Sequence, residues 1–273
     1  MKHVEAQADK VDGWLHPKEG RILYQLANRC TGRGRIVEIG SWKGKSTIWM
    51  SFGSREGCGA KVHAIDPHTG SPEHSTMFGG KVWTFEEFQR NIDNAGVSEM
   101  IVPHVDYSTS VAKTFNDPVE FIFIDGLHEY EGVRDDFEAW YPKVVNGGTI
   151  AFHDSTCWPG VYRLVIERVF KSRHFRKVRF SRSIVYGEKV AQNTFMERLE
   201  NQVFLLAFRL EACWQRWTWR LLHNYLDSEF TRAAIAWYKR KRTSAPPAAV
   251  STTSIAAANT SAKTVVQPPI QTA

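Results

Sequence analysis

The chain has 273 residues, 42% of them hydrophobic and 23% charged, a soluble-protein composition long enough for one large domain or a domain with an appendage. Its formal net charge of +6 is unevenly placed: residues 1–190 carry 25 Lys and Arg against 24 Asp and Glu, while residues 191–243 carry 9 against 5, so a nearly neutral body with a basic extension speaks against nucleic-acid binding by the body. No apolar run approaches the roughly 18 residues of a spanning helix, the opening MKHVEAQADK lacks the apolar stretch of a secretory leader, and Cys30, Cys58, Cys157 and Cys213 show no C-x-x-C spacing, which predicts neither a zinc site nor a disulfide framework and a cytoplasmic setting.

In chain order, HPKEGRILYQLANRC places Pro17 at a helix start with an apolar stripe through Ile22, Leu23 and Leu26. Short apolar runs then alternate with helical patterns. Strands are predicted at Ile36–Ile39, Val62–Ile65, Met100–Val105, Glu120–Ile124 and Thr149–Phe152, with helices at Lys45–Phe52, Phe85–Ala95, Tyr130–Tyr141 and Val161–Phe170. That alternation is the signature of βαβ units and a parallel sheet. Val178–Phe180 and Ser183–Tyr186 flank a short turn and predict a closing antiparallel hairpin. The Asp66–Thr84 stretch, rich in Gly, Pro, His and Ser, has the length of a lid or binding loop.

Beyond Lys189 the composition changes. Trp214, Trp217, Trp219 and Trp237 are interleaved with Arg209, Arg216, Arg220 and Arg232, and the pattern predicts two helices breaking near Asp227–Ser228. Basic and aromatic residues suit a membrane surface; a docking or dimerisation helix fits equally, as does a helical pair packed on the domain. Residues 244–273 are Ala, Ser, Thr and Pro with almost no charge, a composition expected to be disordered. The expected division is an N-terminal helical cap (1–34), an α/β domain (35–190), a basic Trp/Arg-rich helical appendage (191–243) and a disordered tail (244–273).

RIVEIGSWKGKSTIWM (Arg35–Met50) reads as strand, glycine turn and helix. Gly40 and Gly44 allow close backbone approach to a ligand, and the helix beginning near Lys45 points N–H groups at the turn. Two readings compete. A phosphate loop needs G-x-x-x-x-G-K-[ST], and here only three residues separate Gly40 from Gly44, although Lys45, Ser46 and Thr47 follow. A nucleoside loop without a triphosphate fits Glu38, whose charge at the strand end suits a cationic ligand. It also fits Asp66, which follows the second strand where a carboxylate accepts from ribose hydroxyls. Asp106 and Ser108 follow the third strand, near where an adenine edge would lie.

VEIGSWKGKST, VHAIDPH, FIFIDGLHEYEGVRDDFEAW and NGGTIAFHDS together resemble a class I S-adenosylmethionine-dependent methyltransferase, of the small-molecule and sugar O-methyltransferase branch that includes cephalosporin hydroxylase-like and macrolide-sugar methyltransferases. The resemblance covers about Gly13 to Lys189 and none of the C-terminal segment. It implies an α/β Rossmann-like, doubly wound seven-stranded sheet, mostly parallel with a reversed last strand. It also implies Glu38, Gly40, Ser41 and Gly44 around the methionine part of S-adenosyl-L-methionine, Asp66 on the ribose, and Asp106 with Ser108 near the adenine.

Asp125 ends the fourth strand and Asp154 follows the fifth, so adjacent strands would bring both acids to one divalent metal ion, Mg2+ being the natural occupant of hard oxygen ligands. His128 on the loop leaving Asp125 is the candidate base for a hydroxyl proton. His153 reads either as a third ligand, favouring a transition metal, or as a packing residue. Plainer readings exist beside these: Asp125 as a helix cap, His128 as a loop histidine, and His63, His68, His74 and His104 as structural or solvent-facing. The expected activity is metal-assisted O-methylation of a sugar or other polyol-like metabolite. The alternatives are a phosphate-loop kinase or NTPase, or a membrane-associated binding module retaining the fold without catalysis. Expected partners are a small-molecule or glycan-precursor substrate and no nucleic acid, with residues 195–243 open to peripheral membrane, protein or homo-oligomer contact.

Overall fold

The structure, a computed structural model, describes residues 1–71 and 80–226. Seven strands form one sheet in the order β3-β2-β1-β4-β5-β7-β6. They are β1 (Arg35–Ile39), β2 (Val62–Ile65), β3 (Ile101–His104), β4 (Val119–Ile124), β5 (Val144–Phe152), β6 (Phe175–Ser181) and β7 (Ile184–Lys189). The first five pair in parallel. The closing hairpin predicted from sequence is present, and β7 runs antiparallel to β5, giving the reversed strand.

The helices are α1 (Lys2–Ala8), α2 (Pro17–Asn28), α3 (Lys45–Glu56), α4 (Phe85–Ala95), α5 (Ser108–Thr114), α6 (Tyr130–Trp140), α7 (Pro159–Leu164) and α8 (Phe195–Leu226). A π-helical turn, Val165–Phe170, continues α7. One core layer joins α1, α2, α3 and α4 to one face of the sheet; a second joins α5, α6, α7 and α8 to the other. The doubly wound architecture follows from this division. Compact packing extends from Met1 to Leu221.

β4 lies at the centre of the sheet with all six residues buried, which is why Phe121–Ile124 read as an unbroken apolar run. Each Phe or Ile there contributes about 1.5–3 kcal/mol relative to an exposed position. Its one acid, Glu120, accepts from Thr31 N (2.9 Å), Thr31 Oγ1 (2.8 Å) and Arg33 N (2.9 Å). α2 and α3 cross closely: a Cβ on Gly20 would lie 2.3 Å from the Trp49 indole, so only glycine permits this approach. That approach sets α2 deep enough for its neighbour Glu19 to enter the interior.

The segment after Thr194 is helical through Leu226, and the expected break at Asp227–Ser228, Trp237 and the 244–273 tail lie outside the described residues. One further helix is not expected from the sequence: α5 begins at Ser108 and is only seven residues long, too short for a helical period to register. Among the described residues, no helix is long and apolar enough to cross a membrane.

Candidate active site

β1 delivers its chain into a turn made by Gly40 and Gly44, both left-handed at φ +85° and +92°. A Cβ on Gly40 would lie 2.0 Å from the Asp125 carbonyl oxygen, so the absent side chain lets the turn touch the end of β4. Ser41 is 1% exposed, and its hydroxyl has no hydrogen-bond partner among the described residues. A buried hydroxyl without a partner is rare in a native interior and marks a place where a ligand can complete it.

Glu38 lies beneath this turn and is fully buried. Ser46 Oγ donates to its Oε1 and Thr47 Oγ1 to its Oε2, tying β1 to the first turn of α3. Burial pushes its carboxyl up to about 8, against the opposing effect of those two hydroxyls and with further upward pressure from Asp125 and Asp66. Glu38 is therefore largely protonated at neutral pH. Burial works against the negative charge that the sequence reading placed here.

Asp66 accepts from the backbone N–H of Trp42 (2.7 Å) through one oxygen and from that of His68 (2.6 Å) through the other. It pins the β1 turn to the loop after β2. On the next strand end, Asp106 is exposed and accepts from Tyr107 N at 2.7 Å, whereas Ser108 is buried and donates to Asp136 on α6. Burial pushes Asp136 up to about 6, Ser108 opposing. Asp136 was no sequence candidate; its Oδ2 would lie 3.0 Å from a Cβ on Gly126, just past β4.

β4 and β5 are neighbours in register, Ile124 opposite Phe152, and this brings Asp125 and Asp154 together. Ligand atoms of Asp125, His128 and Asp154 all lie within 4.8 Å of one another. His128 Nε2 is 3.2 Å from Asp154 Oδ2, and its ring stacks on Trp158 at 4.4 Å and 15°. The turn after Asp154, closed by Trp158 N donating to the Asp154 carbonyl at 3.2 Å, brings that indole into place. Asp154 itself has φ +54°, a left-handed conformation that costs energy outside glycine and collects at functional sites.

His153 lies one layer deeper. Its Nδ1 is 3.2 Å from Asp125 Oδ1 and 3.4 Å from Asp154 Oδ1, and its Nε2 is 3.4 Å from Glu19 Oε2. The sequence offered His153 as a third metal ligand; the structure gathers His128 into that position and turns both His153 nitrogens toward carboxylates. Burial alone would lower its pKa, but Asp125, Asp154 and Glu19 together raise it well above the usual histidine value. Burial would likewise raise Glu19 and Asp154. For Glu19 the His153 hydrogen bond and charge prevail, bringing it down to about 2. Hydrogen bonds from His128 and His153 hold Asp154 well below the usual carboxylate range. Glu19 also accepts from His16 N (2.9 Å), Ser183 N (3.0 Å) and Ser183 Oγ (2.7 Å). The result is an inner imidazolium between carboxylates and an outer, accessible trio of Asp125, His128 and Asp154.

The phosphate-loop alternative fails on geometry. Lys45 Nζ reaches back to the Gly13 carbonyl at 3.5 Å, and the Ser46 and Thr47 hydroxyls are committed to Glu38. His63 and His104 form a neighbouring pair at 3.0 Å, and His68 is buried against Thr84, Phe85 and Phe88; all three are structural. His74 lies outside the described residues.

Residues 37–155 match a family described as a methyltransferase domain, which meets the resemblance drawn from the sequence. The uncharacterized protein y4gI of Sinorhizobium fredii is 27% identical over 130 residues, covering 44% of this chain and 13% of that relative, so the chain spans only a small part of its length. Among solved structures, the O-methyltransferase NovP superposes with a TM-score of 0.51 at 20% identity, covering 63% of this chain and 80% of its own. The O-methyltransferase TomG from Streptomyces achromogenes, involved in tomaymycin synthesis and solved with S-adenosylmethionine, gives 0.51 at 16% identity, with 70% and 91% covered. A Corynebacterium glutamicum protein gives 0.52 at 15% identity, with 70% and 89% covered. These likenesses establish the fold.

Proposed function

We propose that this chain, whose residues 37–155 match a methyltransferase-domain family, transfers the methyl of S-adenosylmethionine to a hydroxyl of a sugar or other polyol-like metabolite. The observation that carries the reading is the Asp125–His128–Asp154 trio, accessible at adjacent strand ends and in backbone contact with the Gly40 turn. The site suits the cofactor because Ser41, beside the Gly40 turn, offers a buried hydroxyl with no hydrogen-bond partner among the described residues. The paired acids Asp125 and Asp154 beside the turn also favour a sulfonium cation over a polyphosphate.

Methyl transfer needs an oxygen nucleophile in line with the methyl, and an alcohol is a weak nucleophile while protonated. His128, oriented by Asp154 and by the Trp158 face, takes the hydroxyl proton as oxygen bonds to the methyl and the sulfonium leaves as a neutral thioether. Asp154 stabilises the resulting imidazolium. The inner His153 cation, braced by Glu19, holds both carboxylates in fixed directions.

The donor set of two carboxylates and one imidazole also suits a divalent cation. Asp125 and Asp154 would hold it, and when bound it supplies Lewis-acid stabilisation of the substrate oxyanion. Selectivity for oxygen is supported by the likeness to NovP and TomG, and the sugar or polyol class by the sequence resemblance.

Calorimetry with S-adenosylmethionine, S-adenosylhomocysteine and ATP tests the cofactor assignment. Transfer of labelled methyl to a panel of glycosides and polyols, with and without EDTA, then tests the reaction. Binding of both adenosyl ligands and hydroxyl-dependent transfer are expected. Binding of ATP alone, or cofactor binding with no transfer to any hydroxyl acceptor, overturns the proposal.

A further inference from the structure

α8 has two apolar faces. Inward, Leu205, Phe208 and Ala212 are buried, Phe208 stacks near Tyr162 and Phe170, and Asn201 Nδ2 donates to the Phe175 carbonyl at 2.9 Å. Outward, Met196, Leu199, Val203, Leu206, Leu210 and Cys213 are all exposed. They follow one another at alternating steps of three and four residues. That is an unbroken 3.5-residue period, the a/d spacing of a helix seated against another helix. Trp214 and Trp217, 60% and 53% exposed, close the stripe.

We infer that this outer face of α8 packs against the same helix of a second copy of the chain. The stripe's apolar side chains, between 49% and 68% exposed, amount to roughly 1,000 Å² at typical side-chain areas. The largest apolar patch on an ordinary monomer is about 300–600 Å². Two such stripes face to face bury roughly 2,000 Å², within the range of a stable, specific interface. The charge pattern separates a protein partner from a lipid one. Residues 195–217 contain three Glu and three Arg and no Lys, so this part of the helix has no net attraction for an anionic bilayer. A two-fold pair also presents the same stripe to itself, as an isologous contact requires.

Sedimentation velocity on the full chain in detergent-free buffer, from about 1 to 100 µM, tests this. The expected species is twice the 31.2 kDa chain mass. Leu206→Glu with Leu210→Glu, both on exposed positions, weakens association by at least about 100-fold, as two buried leucines imply, without altering the far-UV circular dichroism. Leu206→Ile with Leu210→Ile retains the dimer. A wild-type chain that is monomeric throughout the range overturns the inference. So does a double-glutamate variant as dimeric as the wild type, or a monomer whose stripe instead binds phosphatidylglycerol vesicles.

Discussion

Glu19 and His153 meet 3.4 Å apart although 134 residues separate them. The contact ties the first turn of α2 to the end of β5, so an element outside the matched 37–155 segment sets the electrostatics of the trio. Glu19→Gln keeps the shape and removes the charge. Breaking one partner of a buried pair costs about 3–5 kcal/mol, and Gln, which retains hydrogen bonding, is expected at the lower end. Urea unfolding reads the stability and methyl transfer reads the site; both fall together. A variant within about 0.5 kcal/mol of wild type, the extrapolation error of such curves, means the pair is incidental.

His128 has the opposite profile. It reaches Asp154 from an accessible loop position and carries no part of the core. His128→Ala is expected to reduce turnover by about 10²–10⁴-fold, the usual contribution of a positioned base. Affinity for S-adenosylmethionine by calorimetry and the unfolding midpoint stay near wild type. Loss of cofactor binding in step with turnover would assign the imidazole to ligand binding instead.

Glu38 gives a pH signature of definite sign. Its carboxyl stands at about 8 in the fold against an ordinary 4.5, so the folded state holds the proton more tightly than the unfolded chain. Its contribution to stability is complete below about pH 4.5 and is lost as pH rises through about 8. Glu38→Gln, a neutral isostere, removes that dependence and gains on wild type by on the order of 3–5 kcal/mol at pH 9. Denaturation midpoints from pH 5 to 9 check it; parallel curves for the two proteins refute it.

Asp66 is an acceptor at both oxygens. Asp66→Asn presents an amide N–H₂ to one of the two backbone N–H groups, so one bond becomes a repulsion. Leaving a backbone donor unsatisfied costs about 1–3 kcal/mol, and the turn at 40–44 loses its tether. The expected readouts are a lower melting temperature and weaker binding of S-adenosylhomocysteine. Unchanged affinity would show that the tether and the ligand seat are independent.

The sheet was legible because its strands are short apolar runs bounded by polar residues, as Val62–Ile65 coincides with the observed β2, and the helices between them because of their apolar period, as Phe85–Ala95 coincides with α4. The meeting of Asp125 and Asp154 was legible for the same reason, since neighbouring parallel strands end together. The inner layer was not. Glu19 pairs across 134 residues, a distance over which chain order is silent, although a trace existed: it shares a helix face with Leu23 and Leu26 and lies three residues after the N-cap His16. The protonated state of Glu38 was equally hidden, because a sequence names the acid and its hydroxyl neighbours Ser46 and Thr47 but does not say that water is excluded from all three.

The contact between Gly40 and the Asp125 carbonyl oxygen also constrains how this protein can change. The proposed donor seat and Asp125 share a main-chain boundary with no slack, so neither can be relocated alone. On the proposed reading, altered cofactor preference comes from positions 41–43, where side chains can vary beside a fixed pivot. Position 40 admits no alternative that leaves the chemistry where it is.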